Sequence, residues 1–471
     1  MKNFSQSILT LLFLTLSGNA IAQKTGIAST IYSGVPWFDD RGQVVSAHAA
    51  GIIKDNGRYY LFGEKHSDTT NAFTGFNCYS STDLSHWKFE RIALPVQDSG
   101  RLGPNRVGER AKVMKCPKTG EYVMLMHTDD MGYKDQCIGY ATASKITGPY
   151  TFRGPILFNG KPIRKWDMGT FQDTDGTGYL LLHSGEIYRL SDDYKSATEQ
   201  VIKDMSPECE SPAILKKGGI YFWLGSHRTS WERNDNFYLT ATSLKGPWTA
   251  RGLFAPEGSL TYNSQTTFVL PVETERDTIF MFMGDRWSYP RQASAATYVW
   301  QPLYIHGTSL YIPNYMDSWC LDTHWNMPPL QNLITGKSVL AGDKNAYAFT
   351  GNWQHNTSSN LANGSSDEKG AMLTVKFHGK RVVVYGPTGP TGGYAQISIS
   401  NRRGKKILTA TIDMYSLNQT KGIRFINPLL PEDDYTLTIT VLGEHSKWSD
   451  KRRNDYGSKG NMVWIDQVLV N

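Results

Sequence analysis

Five times along this chain a short turn joins two apolar, aromatic-rich runs, and this repetition restricts the fold more than any other feature. The runs are KDNGRYYLFGE around Asn56-Gly57, CPKTGEYVMLMHT around Thr119-Gly120, DTDGTGYLLLHS around Asp175-Gly176, LKKGGIYFWLGSH around Gly218-Gly219 and ETERDTIFMFMGD around Arg276-Asp277. Asn-Gly and Asp-Gly between strand-like runs mark hairpins, because both central turn positions need positive φ. Most are followed by a second strand-and-turn unit, as in NCYSSTDLSHWKFE, IGYATASKITGPYTFRG, IYRLSDDYKSA and FYLTATSLKGPWTARG. Two hairpins make a four-stranded blade. The turns recur about 43 to 63 residues apart, within the range for propeller blades with loops. Five blades set radially would bury each hairpin against its neighbour and leave few open edges. The expected class is therefore all-β, a five-bladed β-propeller followed by a further β domain.

Residues 1–22 read as a secretory signal peptide. Lys2 precedes an apolar core from Ile8 to Leu16, and Ala20-Ile21-Ala22 offers a small-residue cleavage pattern before Gln23. That core is too short to span a bilayer, no later stretch approaches a transmembrane helix, and no cysteine follows the cleavage point to carry a lipid. A secreted or periplasmic location is expected, with no membrane partner. The five cysteines, Cys78, Cys116, Cys137, Cys209 and Cys320, show no short paired spacing, which argues against a zinc ribbon or redox motif. They read mostly as buried apolar residues. The formal charge of +6 is dispersed, with no basic stripe to suggest a nucleic acid. A closed propeller of this length is expected to be a monomer. No cofactor is indicated; a structural calcium ion is left open.

The segment PECESPA places Glu210 just before Ser211-Pro212 and a strand pair. Proline cannot donate to a central ladder and biases the preceding residue towards extended geometry, so Glu210 should sit at the rim of a sheet. Comparable polar residues precede or follow the other hairpins: His48, Glu64 and His66; Glu109, Arg110 and Tyr133; Trp166 and Asp167; Arg228 and Thr229; Gln265, Asp285, Arg286 and Trp287. Taken singly, each reads as structure; Arg110 beside Glu109, for example, suits a plain ion pair. One acid or amide at the same place in successive blades is harder to explain by packing, since innermost strands converge on the axis.

The motifs GERAKV, WDMGTFQDTDGTGYL, ESPAI and SQTTFV, followed by GDRW and YVWQPL, resemble glycoside hydrolase family 43. With HAAGI they resemble the exo-acting galactan 1,3-β-galactosidases of that family, over roughly residues 30–315. The resemblance implies a five-bladed propeller, a polysaccharide substrate and inversion by a general acid opposite a general base. It places Glu210 as the acid and Asp167 as the carboxylate that tunes it. Most of the wider family has an aspartate base near His48-Ala49-Ala50, where this chain has none. Three readings stay open: Gln265 orients the attacking water or takes its proton as an imidic tautomer, Glu109 is the base, or the pocket only binds. Glu64, Tyr133, Asp167 and Thr229 would hold the terminal galactose, with Trp287 a candidate stacking face. The expected activity is exo-β-1,3-galactosidase on β-1,3-galactan such as arabinogalactan backbones. The rivals are a family 43 arabinofuranosidase, xylosidase or galactofuranosidase, and a non-catalytic glycan-binding propeller.

The propeller is expected over residues 23–318 and an irregular, proline-bearing linker over 319–339. Residues 340–471 then alternate as strands in LTVKFHGKRVVVYGP, YAQISISNRRGKK, YTLTITVLGEH and VWIDQVLVN. This part resembles a jelly-roll carbohydrate-binding module, with Trp353, Tyr394, Trp448 and Tyr456 as candidate sugar platforms beside a purely structural reading.

Overall fold

The computed structural model describes residues 30–274, 277–321, 336–343, 345–356, 358–450 and 453–471. The signal segment, most of the expected linker and the centre of the Arg276-Asp277 turn lie outside these residues.

Each expected hairpin forms the inner half of a blade. The first blade runs His48–Asp55, Arg58–Glu64, Phe76–Ser81 and Lys88–Leu94, four antiparallel strands in sequence order. Its turn has Asn56 and Gly57 at φ 47° and 75°, as a two-residue hairpin of this type requires. The other blades open with Arg106–Lys115, Met168–Gln172, Cys209–Lys217 and Gln265–Glu273, each paired with the strand that follows. Two further short strands extend the third blade to six. The opening strands touch in a closed ring, the fifth against the first.

Burial explains why the strand sequences look as they do. Thr278–Arg286 (TIFMFMGDR) is buried along almost its whole length, because a blade strand faces a neighbouring blade on each side. The propeller core is accordingly a set of interblade layers. Ile52, Tyr59 and Leu61 pack with Leu270, Met281 and Trp300 between the first and fifth blades, and Leu215, Phe222 and Leu224 pack with Val269, Phe280 and Phe282 between the fourth and fifth. Closure is reinforced where Thr30–Tyr32 pairs with Ser318–Cys320, so Trp319 and Cys320, expected in the linker, form part of a strand tied to the propeller's beginning. All five cysteines are buried and none forms a disulfide among the described residues.

The carboxy-terminal part stacks two main sheets. Tyr347–Thr350, Met372–Gly379, Asp433–Val441, Tyr394–Asn401 and Lys406–Asp413 make the larger, and Lys337–Ser338, Gln467–Val470, Val382–Thr388 and Thr420–Ile426 the smaller. Within Asp433–Val441 the positions from Tyr435 onward alternate buried and half-buried, with Leu437 and Ile439 facing Val384 and Phe425 across the core. Two of the expected sugar platforms are structural instead. Trp353 belongs to this core, and the buried Tyr394 hydroxyl bonds the carbonyls of Ser288 and Tyr289 on the propeller.

Candidate active site

The site is made by a backbone irregularity that four blades share. A register shift falls at the start of the opening strand between His48 and Gly51, Glu109 and Lys112, Glu210 and Ala213, and Thr266 and Phe268. In three of these the residue after the polar one has positive φ: Ala49 at 47°, Arg110 at 56° and Ser211 at 59°. Such a bulge bends the strand and re-aims its side chains. Non-glycine residues in this conformation carry strain of about 1–3 kcal/mol, so the surroundings must enforce it. For Arg110 they do: its backbone N–H donates to Glu64 Oε1 at 2.8 Å. Close approach at the axis also fixes two glycines. A Cβ on Gly51 would stand 2.7 Å from Lys112 Cδ, and one on Gly169 would strike the Pro212 carbonyl.

His48, Glu109, Glu210 and Gln265 thus occupy equivalent places, opposite Glu64, His127, Ser226 and Asp285 on the second strands. His48 is fully buried and its Nδ1 lies 3.0 Å from Asp285 Oδ1. Burial lowers its pKa, with the Asp285 bond opposing. It supports the site from behind the cavity wall.

A cavity of about 970 Å³ opens over the ring and is lined by Glu64, Glu109, Tyr133, Asp167, Glu210, Gln265 and Trp287. Seven of the eight expected site residues therefore meet in one place. Thr229 does not. Its hydroxyl donates to the Glu232 carbonyl at 2.7 Å and accepts from Asn234 Nδ2 at 2.7 Å, so it shapes its own turn. Trp287 is 3% exposed, a core tryptophan whose indole N–H donates to Gln265 Oε1 at 2.9 Å; it is not an open stacking face.

Arg110 is the hub. Its Nε donates to Asp167 Oδ1 at 2.7 Å, Nη1 to the Ser211 hydroxyl and Nη2 to Gln265 Oε1 at 3.0 Å. It pairs with Asp167 on the next blade, not with the adjacent Glu109 as a simple ion pair would. Gln265 Nε2 donates to Glu210 Oε1 at 2.9 Å and to Ser226 Oγ at 3.0 Å. Arg110 and the Trp287 indole only donate, so the amide oxygen must face them and its NH₂ must face Glu210. All four hydrogen-bonding positions of the amide are filled.

Glu210 is pushed well above the usual carboxylate range, first by burial and then by the Asp167 charge, with Arg110, Arg228 and the Gln265 bond opposing. Both causes favour the neutral acid over the carboxylate. Glu109 accepts from Tyr133 at 2.6 Å on Oε1 and from His127 Nδ1 at 2.9 Å on Oε2. Burial of His127 would lower its pKa, but its bonds to Asp129 and Glu109 outweigh this and hold it at about 9, as an imidazolium.

Sequence reasoning did not single out His127, Asp129, Trp231 or Lys112. His127 had a signal: it is the polar residue in MLMHTDD directly opposite Glu109. Lys112 is buried beneath the first blade's bulge, donating to the Ala49 carbonyl at 2.6 Å, and burial followed by the Arg110 charge lowers it to about 7. Among the described residues no cluster of His, Cys, Asp and Glu is arranged to hold a metal ion.

Comparison with known proteins agrees with this geometry. The model of glycosyl hydrolases family 43 matches residues 44–252. A solved structure of a candidate exo-β-1,3-galactanase from Bifidobacterium bifidum s17 is 39% identical, covering 59% of this chain and 95% of that one with a TM-score of 0.56. A structure of exo-β-1,3-galactanase from Phanerochaete chrysosporium with β-1,3-galactotriose is 26% identical, covering 94% of this chain and 100% of that one with a TM-score of 0.66. Among curated proteins, an arabinoxylan arabinofuranohydrolase of Bacillus subtilis (strain 168) is 25% identical over 299 residues, 52% of this chain. The chain spans 57% of that relative's length.

Proposed function

Since the chain belongs to glycosyl hydrolase family 43, we propose that it is an exported exo-β-1,3-galactosidase that removes galactose from the non-reducing ends of β-1,3-galactan with inversion. The observation that carries this reading is Glu210, favoured in its neutral form in the cavity and bonded to the Gln265 amide. Gln265 Nε2 donates to Oε1, so the acid's proton belongs on Oε2. From there it passes to the glycosidic oxygen as the bond from that oxygen to the anomeric carbon breaks. Water attacks the anomeric carbon from the opposite face, leaving α-galactose and a shortened chain. Asp167 raises the acid's pKa and is itself fixed by Arg110.

For the water, Gln265 must give up a partner before it can touch a new one. A sugar entering between Glu210 and Gln265 would break their hydrogen bond and free an amide N–H to orient the nucleophile. The imidic form needs a proton on the oxygen that already accepts from Arg110 and Trp287. This favours the second reading for the proton itself: Glu109 accepts it. Inverting enzymes keep acid and base about 6.5–9.5 Å apart. Glu109 and Glu210 start the second and fourth blades, whereas Gln265 touches the acid directly.

The test is incubation with debranched β-1,3-galactan, following the first product by NMR. Release of α-galactose from chain ends is expected. Absence of release with galactan still bound, or release only from an arabinofuranoside, xyloside or galactofuranoside, would overturn the reading.

A further inference from the structure

The propeller does not close the cavity alone. Part of the wall is a short antiparallel pair from the carboxy-terminal sandwich, Lys447–Ser449 with Asp455–Gly457, which brings Trp448, Asp450, Asn454 and Tyr456 into the lining shared with Glu210 and Gln265. A continuous run of rings joins the two ends. Trp287, which holds Gln265, meets Trp231 edge-on at 5.2 Å, and Trp231 stacks on Tyr289 at 5.9 Å with 7° between planes. Tyr289 meets Trp448 edge-on at 6.5 Å, and Trp448 stacks on Tyr456 at 5.7 Å and 13°.

The sandwich is also clamped in place here. Ser288 donates to Asp413 at 2.8 Å, the Tyr394 hydroxyl donates to the Ser288 and Tyr289 carbonyls at 3.2 Å, and the Tyr415 hydroxyl donates to Glu232 at 2.7 Å. The stretch bearing Trp287 and Tyr289 is thus held between the catalytic centre and the sandwich.

We propose that the sandwich hairpin is the leaving-group side of the active site. Tyr456 and Trp231 take the galactose units on the reducing side of the scissile bond, and Asp450 and Asn454 bond their hydroxyls. The inference rests on the exo-galactosidase reading. An exo enzyme holds the non-reducing sugar at the acid, so the rest of the chain must leave along the remaining length of the cavity. At about 970 Å³ this space is near the top of the roughly 300–1,000 Å³ usual for small-molecule sites, and is more than one sugar needs. The aromatic run leads away from Gln265 along this path, and half-buried Tyr456 and Trp231 combine an apolar face with a polar edge suited to a pyranose. Trp448, 6% exposed, has an indole N–H without a partner among the described residues. That nitrogen is enclosed by protein atoms, so Trp448 serves the site by packing behind Tyr456 and not as a donor to the sugar.

The experiment compares kcat/KM for β-1,3-galactotriose with kcat/KM for an aryl β-galactoside, in the full chain and in Tyr456→Ala. The ratio should fall about tenfold or more in the variant, with Tm unchanged, and Tyr456→Phe should restore it. An unchanged ratio, or equal losses on both substrates, would overturn the proposal and leave the sandwich as a separate binding or purely structural unit. If Tyr456→Ala does not fold, Tyr456→Leu and Asn454→Ala read the same ratio. Failure of the parent reading looks different: the unmutated protein would release no galactose from either substrate.

Discussion

Gln265 Nε2 donates to Glu210 Oε1 across 2.9 Å, and the same amide's oxygen accepts from Arg110 and Trp287. The acid is therefore held by a neutral group whose orientation is set by two obligate donors. A carboxylate in place of Gln265 would repel an ionised Glu210 and raise its pKa further. The amide instead steers the acid's proton to the free oxygen.

Glu210→Gln removes the carboxyl proposed to donate the proton and preserves the shape of the side chain. Release of galactose from unactivated galactan should fall about 10²–10⁴-fold, the usual worth of a general acid. An aryl galactoside, whose leaving group needs little protonation, should lose much less, and galactan binding measured by calorimetry should persist. Near-normal release from galactan would remove Glu210 from the acid role.

Gln265→Ala and Glu109→Gln separate the two ways of handling the water. Gln265→Ala deletes the hydrogen-bond partner of Glu210 together with the amide proposed to orient the water, so kcat should fall by about 10²-fold or more. Glu109→Gln keeps the bond from Tyr133 but cannot take a proton. If Glu109 is the base, azide should rescue a Glu109→Ala variant and yield the α-galactosyl azide. Loss confined to Gln265 variants, with no azide rescue at position 109, would return the base role to the amide.

Much of this site was legible because propeller geometry converts repetition into convergence. Glu210, Gln265 and Glu109 fall at the same step of different repeats, so the hairpin count alone was enough to bring them together. What the sequence concealed was partner choice. Arg110 stands next to Glu109, yet the bulge turns its guanidinium to Asp167, fifty-seven positions away. Thr229 has suitable chemistry, but its turn consumes the hydroxyl locally. Trp448 and Tyr456 were recognisable as aromatic platforms, but only the docking of the sandwich shows that they share a wall with the acid. Periodicity sees the elements, whereas contacts between domains leave no period.

Arg110→Ala should be costly in both folding and activity. It breaks the buried pair with Asp167 and leaves that carboxylate without its partner, a change worth about 3–5 kcal/mol in buried ion pairs. It also releases Gln265 Oε1 and the Ser211 hydroxyl. Arg110→Lys keeps the charge but cannot span the three acceptors, so it should recover stability better than kcat. Urea denaturation alongside kinetics checks this. Equal recovery of both would mean that the hub acts through charge alone.

His127 gives a pH dependence whose sign can be fixed. Its folded pKa, about 9, lies above the ordinary 6.5, because the bonds to Asp129 and Glu109 outweigh burial. A raised histidine contributes stability that is fully present below about 6.5 and lost as pH rises through about 9. Lys112 acts in the opposite sense: lowered to about 7 by burial, it contributes stability that grows as pH rises from about 7 towards 10.5. The two partly cancel between pH 7 and 9, so the unmutated protein alone would show little. The informative quantity is the difference in Tm between the unmutated protein and His127→Gln across pH 6 to 9.5. That difference should be largest at pH 6 and shrink as the imidazolium deprotonates. A difference that stays constant would mean that the imidazole titrates alike in the folded and unfolded chain, and one that grows as pH rises past about 6.5 would mean that His127 is neutral in the folded protein and holds Glu109 without charge.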